Sequence, residues 1–132
     1  MASYDRKWQK VTREQLEHCV RWCQNVLQLR DWKINLYLTK HEKHSDEFGY
    51  TWIQNSWQEE ADIWISVDYL KEKDCNAYST VCHEMLHVLL SGKCNIEAAG
   101  NTDEYAAYIL ESVLYEKFCR DNKIKEMPMK DD

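Results

Sequence analysis

Two histidines and a glutamate interrupt an otherwise apolar helical run at residues 79–91, "STVCHEMLHVLLS". His83 and His87 are four residues apart, so on a helix they lie on the same face. Ionisable side chains are costly to bury beside residues such as Met85 and Leu86 unless a partner compensates them. The run therefore predicts a buried helix with a polar partner, and a metal ion is the first hypothesis for that partner.

Length and charge limit the classes of protein to which this chain can belong. With 132 residues and a net charge of −6, we expect one domain over residues 1–132 that binds neither nucleic acid nor anionic membranes. No apolar run approaches the roughly 20 residues needed to span a bilayer. The N-terminus, "MASYDRKWQKVTREQ", has no apolar stretch of secretory type, which predicts a cytoplasmic protein.

The chain contains six cysteines, which could form disulfides in an exported protein. A domain of this size does not need disulfides for stability, and Cys19 and Cys23 have the spacing of one helix face rather than of a C-x-x-C metal site. We therefore predict that the cysteines are buried free thiols.

The periodicity of the apolar residues predicts the order helix, three strands, helix, helix. Thr12 and Gln15 form a predicted capping box at the start of the first helix. Gly92 is a predicted stop for the second helix, and residues 123–132 form a frayed tail. Grouped strands followed by helices predict an α+β fold with helices packed on one side of a small sheet. The predicted helices cover residues 12 to about 29, 76–91 and 102 to about 122; the predicted strands lie within 32–38, 50–57 and 58–70.

The pattern His83-Glu84-x-x-His87 is the H-E-x-x-H arrangement, which requires a helical context. Two imidazoles on one helix face can bind a divalent zinc ion. Glu84 points roughly 100° away around the helix, where it can accept a proton from an activated water as a general base. The alternative is a core helix whose histidines are satisfied without metal.

A catalytic zinc usually has a third protein ligand. Leu90 and Lys93 stand where the metzincin continuation requires glycine and histidine, which excludes that class. We favour Glu104, in the first turn of the last helix, with Asp103 as its nearest rival. Tyr108, on the same helix face as Glu104, is predicted to orient a ligand or the substrate. The other donors left open are His18, the His41 and His44 pair of a charged loop, Cys94, Glu97 and Glu111.

"VCHEMLHVLL" followed by "NTDEYAAYILESVL" resembles the small, single-domain, zincin-like metallopeptidases of phages and prophage-bearing bacteria, of the gluzincin type. The resemblance covers roughly residues 61–118. It implies that His83, His87 and Glu104 bind zinc and that Glu84 is the general base. Gluzincins often have an aspartate four residues after the ligand glutamate, where this chain has Tyr108.

The resemblance also implies a substrate site and a source. The strand "ADIWISVD" is expected to be an edge strand that offers backbone groups to an extended peptide. A bacterial or phage-infected host cell is the expected setting. The sequence thus predicts a zinc-dependent peptidase acting on a peptide or protein substrate. The alternatives are a non-catalytic peptide- or protein-binding module with structural or absent zinc, and a metal-free helical core.

Overall fold

The computed structural model of the chain describes residues 11–39, 48–55, 58–67, 70, 76–94 and 102–124. Three helices and a three-stranded sheet make up this part, in the predicted order, so the α+β fold class is confirmed. Predictions for the loop at 40–47, for Cys75 and Glu97 and for the tail at 125–132 lie outside the described residues. The elements are α1 (Arg13–Val26), β1 (Lys33–Thr39), β2 (Gly49–Asn55), β3 (Glu60–Ser66), α2 (Ala77–His87) and α3 (Thr102–Asn122).

The predicted capping box is present at the start of α1. The hydroxyl of Thr12 accepts from the backbone N–H of Gln15 at 3.1 Å, and the side-chain carbonyl of Gln15 accepts from the backbone N–H of Thr12 at 2.8 Å. The helix ends at Val26, three residues before the predicted end, because Gln28 adopts a left-handed φ of 61°. The N–H of Leu29 then donates to the carbonyl of Gln24 at 2.7 Å, which closes the helix end.

The sheet has the order β1-β3-β2, so β3 lies in the centre. It is parallel to β1 and antiparallel to β2, with Leu36 opposite Ile63 and Tyr50 opposite Trp64. The expectation that the strand "ADIWISVD" is an edge strand is therefore wrong, because β3 is hydrogen-bonded to a neighbouring strand on each side. The strand that lies beside α2 at the sheet's edge is β2, whose Thr51 hydroxyl hydrogen-bonds to Glu84.

The core lies between one face of the sheet and the helices. Ile63 and Ile65 of β3 are fully buried, as are Leu16 of α1 and Met85 of α2. On the opposite face, Tyr37, Trp64 and Tyr50 form a row across the three strands, and Tyr37 stacks on Trp64 with ring centroids 5.2 Å apart. The alternation of apolar and amphipathic residues predicted this division between the two faces.

The cysteine prediction is confirmed for most of the described thiols. Cys19, Cys23, Cys82 and Cys119 are buried, and none of the cysteines in the described ranges forms a disulfide. Cys94 departs from the prediction because it is exposed. It follows the helical turn at 88–93.

The second helix does not stop at Gly92. After His87 it continues as a π-helical turn over Val88–Lys93, in which the N–H of Cys94 donates to the carbonyl of Leu89 at 2.8 Å. Gly92 lies inside this turn, against the indole of Trp32. A Cβ atom added to Gly92 would lie 2.7 Å from Cη2 of Trp32. Close packing, rather than helix termination, explains the glycine at this position.

We expect Gly92→Ala to lower the free energy of unfolding. Overpacking a filled site costs about 1–3 kcal/mol, and the backbone gain from replacing glycine, about 0.4–1 kcal/mol, offsets only part of that cost. Urea denaturation measures the difference. In a Trp32→Leu background the same substitution should cost less, because the opposing ring is gone; an equal cost in both backgrounds would contradict the packing explanation.

Candidate metal centre

The helix α2 carries His83 and His87 together on the face that meets α3. Its start is fixed by Asn76, whose side-chain carbonyl accepts from the N–H of Ser79 at 3.1 Å. The amide nitrogen of Asn76 donates to the hydroxyl of Tyr115 at 2.5 Å, which ties the beginning of α2 to α3. One turn separates the two histidines, and their Nε2 atoms lie 3.2 Å apart.

Glu104 of α3 completes a group of three ligand atoms with these histidines. Its Oε1 lies 2.7 Å from Nε2 of His83, and its Oε2 lies 3.4 Å from Nε2 of His87. The ligand atoms of the three residues all lie within 4.8 Å of one another. A tetrahedral zinc ion with ligands at about 2.0–2.1 Å holds its ligand atoms about 3.3 Å apart. The group therefore fits such an ion in donor type and spacing.

The structure also separates Glu104 from the rival ligands that it describes. His18 of α1 pairs instead with Asn122, with Nε2 2.7 Å from Oδ1, and is not part of the group. Cys94 is exposed and also outside it. The side chain of Asp103, together with His41, His44 and Glu97, lies outside the described atoms. Of the described candidates for a third ligand, only Glu104 joins the group.

Glu111 supports the site from behind His83. Its Oε1 lies 2.8 Å from Nδ1 of His83, on the side of the ring opposite Glu104. Glu111 follows Glu104 by seven residues, two helical turns, so both side chains face α2. Ala107, between them, is fully buried on this face. Sequence reasoning named Glu111 only as a possible ligand. The seven-residue spacing could have indicated its supporting position.

Burial alone would lower the pKa of His83, but its surroundings reverse this effect. The hydrogen bond to Glu111 and the negative charges of the nearby carboxylates raise the pKa of His83 to about 9. Without metal, this ring is therefore protonated at neutral pH. A cation that binds at Nε2 has to displace that proton, as metal binding to imidazole requires.

Glu84 points away from the histidine face into a buried position under β2. Only 5% of the residue is exposed, and the hydroxyl of Thr51 donates to its Oε1 at 2.6 Å. A Cβ atom on Gly49 would lie 3.0 Å from its Oε2, so the strand backbone packs closely on the carboxylate. Burial raises the pKa of Glu84, although the hydrogen bond from Thr51 and the neighbouring histidines oppose the shift. Sequence reasoning missed both Thr51 and Gly49.

Tyr108 lies four residues after Glu104 on α3, and 67% of it is exposed. Within the described part of the chain, its hydroxyl makes no hydrogen bond. The predicted role of Tyr108 in orienting a ligand or the substrate therefore stays a prediction. Glu111, three residues after Tyr108 on the same helix, is the residue of α3 that hydrogen-bonds to Nδ1 of His83.

No family model, curated protein or solved structure matches the chain. The resemblance to gluzincins thus stands on the residues of the site alone. In the described ranges, no helix is both long enough and apolar enough to cross a membrane.

Glu111→Ala is expected to weaken zinc binding by about 10–100-fold, the usual effect of losing the carboxylate that orients a metal-binding histidine. Competition with a chromophoric zinc chelator measures the affinity. Glu116→Ala on the same helix is the matched control, because Glu116 is exposed and belongs to no part of the site. Equal affinities for the two variants would show that Glu111 does not support His83.

Proposed function

We propose that the protein is a zinc-dependent hydrolase of the gluzincin type that cleaves peptide bonds. The observation that supports this most directly is the convergence of His83, His87 and Glu104 with the spacing of a tetrahedral ion. Among the described residues, this group provides three protein ligands, whereas a structural zinc site has four. That count favours catalysis over a structural metal.

In this proposal His83, His87 and Glu104 hold the zinc ion. A zinc ion at such a site polarises a carbonyl and lowers the pKa of water. Glu111 fixes the ring of His83 through Nδ1, so that Nε2 is the nitrogen available for binding.

Glu84 moves the proton. Its carboxylate accepts a proton from the attacking water and delivers it to the nitrogen of the leaving amine, so no net proton is consumed. Burial raises its pKa, which makes it a stronger base than an exposed glutamate. The hydroxyl of Thr51 holds Oε1 at 2.6 Å and limits the orientations of the carboxylate.

A peptide or protein is the proposed substrate, and β2 is the strand beside which it would lie. Among the described strands, β2 pairs only with β3, so its outer backbone groups are available to an extended peptide. The same strand carries Thr51 and Gly49, which contact Glu84. A peptide added to β2 would therefore lie close to the proton-transferring group.

The four buried cysteines, none in a disulfide, support a reducing compartment such as the cytoplasm.

One observation favours a second function, a non-catalytic module that captures peptides. The carboxylate of Glu84 already has a hydrogen-bond partner and is covered by β2, as a purely structural side chain would be. In that case zinc would bind without hydrolysis.

Zinc reconstitution tests the proposal. The metal-free protein should not cleave an unfolded protein such as casein; one equivalent of zinc should produce cleavage, and a chelator should abolish it. His87→Ala, which lacks one ligand, should show neither zinc binding at this site nor cleavage. Zinc binding without cleavage of casein or of a peptide library would favour the binding module. The absence of zinc binding would contradict the hydrolase and would leave only a binding module that holds no zinc.

A further inference from the structure

Three thiols meet in the core on a different face of α2 from His83 and His87. Cys19 and Cys23 come from successive turns of α1, and Cys82 comes from α2. All three residues are fully buried, and their sulfur atoms lie within 4.8 Å of one another. This cluster is separate from His83, the next residue along the chain, because neighbouring residues on a helix point about 100° apart.

The spacing of the sulfur atoms suits a metal ion. An ion bound at about 2.3 Å from each of three sulfur atoms, in their plane, holds them about 4 Å apart. The three sulfur atoms lie within 4.8 Å of one another, which is compatible with that separation. An i, i+4 pair on one helix with a third donor from its neighbour is also the arrangement that brings His83, His87 and Glu104 together.

The donor set determines which ion fits. Thiolates favour soft cations, principally Cu(I), zinc and the iron of iron–sulfur clusters. Structural zinc sites have four protein ligands, and iron–sulfur clusters also require four. The described residues place only three donors in this group. Cu(I) is the soft cation among these that three sulfur ligands satisfy.

We propose that Cys19, Cys23 and Cys82 form a second metal site, which binds one Cu(I) ion through three sulfur atoms. As the metal–sulfur bonds form, the thiol protons are released to solvent and no electrons are transferred. The bound ion would link α1 to α2, the helix that carries the H-E-x-x-H residues, and should therefore raise the melting temperature of the protein.

Titration of the reduced, metal-free, full-length protein tests this site. We expect one Cu(I) per chain to be taken from a Cu(I)-selective chelator. We also expect a thiolate-to-metal charge-transfer band in the ultraviolet when Cd(II) is the probe. Cys19→Ser, Cys23→Ser and Cys82→Ser should each reduce the Cd(II) band strongly and weaken Cu(I) binding at least tenfold. Cys94→Ser, a change at an exposed thiol outside the cluster, should keep both.

His87→Ala separates the two sites, because it should lose zinc at the histidine group and keep the Cd(II) band. X-ray absorption of the wild-type Cu(I) complex needs no variant and should show a first shell of three sulfur atoms. A wild-type protein without the band, a shell containing nitrogen or oxygen, or a band that survives Cys23→Ser in a protein folded by circular dichroism would overturn the proposal. None of these results depends on whether the protein hydrolyses peptides.

Discussion

Glu84→Gln is expected to retain one zinc ion and to lower the rate of peptide hydrolysis by about 10²–10⁴-fold, the usual contribution of a general base. Glutamine has nearly the same shape and can still accept the hydrogen bond from Thr51, but it cannot take a proton from water. The residue is 5% exposed, so few other groups can replace it as a base. Steady-state kinetics on a fluorogenic peptide and metal analysis of the same sample measure the two effects.

The stability of this variant provides a second readout. Burial raises the pKa of Glu84, which means that the folded protein disfavours the ionised carboxylate. A neutral glutamine avoids that cost, so Glu84→Gln should be at least as stable as the wild type at neutral pH. Glu116→Gln, at an exposed position of α3, is the control for losing one negative charge. Unchanged hydrolysis in Glu84→Gln would rule out the proposed proton transfer.

The second large effect is expected from Glu104→Gln. A neutral amide is a poor zinc ligand, so the affinity should fall by more than the roughly 10–100-fold that outer carboxylates contribute. Hydrolysis should fall with it at limiting zinc. Glu104 is 55% exposed at the side chain, so the change should leave the free energy of unfolding of the metal-free protein nearly unchanged. Isothermal titration with zinc and urea denaturation measure the two quantities.

Asp103→Asn is the matched control for Glu104→Gln, because the two acids are adjacent and carry the same charge. If Glu104 is the third ligand, Asp103→Asn should bind zinc with nearly the wild-type affinity. The reverse result, a large loss in Asp103→Asn and little in Glu104→Gln, would transfer the ligand role to Asp103. If both variants lose only a small and equal part of their zinc affinity, neither Glu104 nor Asp103 is the third ligand.

Local sequence patterns were sufficient to predict the helices and strands and the H-E-x-x-H part of the site. The capping box at Thr12, the strand periodicity around Ile63 and the helical run around His83 depend on residues within a few positions of one another. These interactions form within a single element, so a sequence pattern predicts them directly. The predicted range of the last helix, 102 to about 122, agrees with the bounds of α3 for the same reason. The end of α1 was not, because it depends on the conformation of Gln28.

The amino-acid sequence by itself determined the α+β order of elements and the pairing of two histidines with a glutamate on one helix. Only the tertiary structure decided that β3 is central, that β2 covers Glu84, that Glu111 supports His83, and that three thiols meet in the core. The contacts of Thr51 with Glu84, of His83 with Glu111 and of Cys19 with Cys82 join residues that are 33, 28 and 63 positions apart in the chain. Their formation depends on which helices and strands pack together, and similar local patterns are compatible with several such packings.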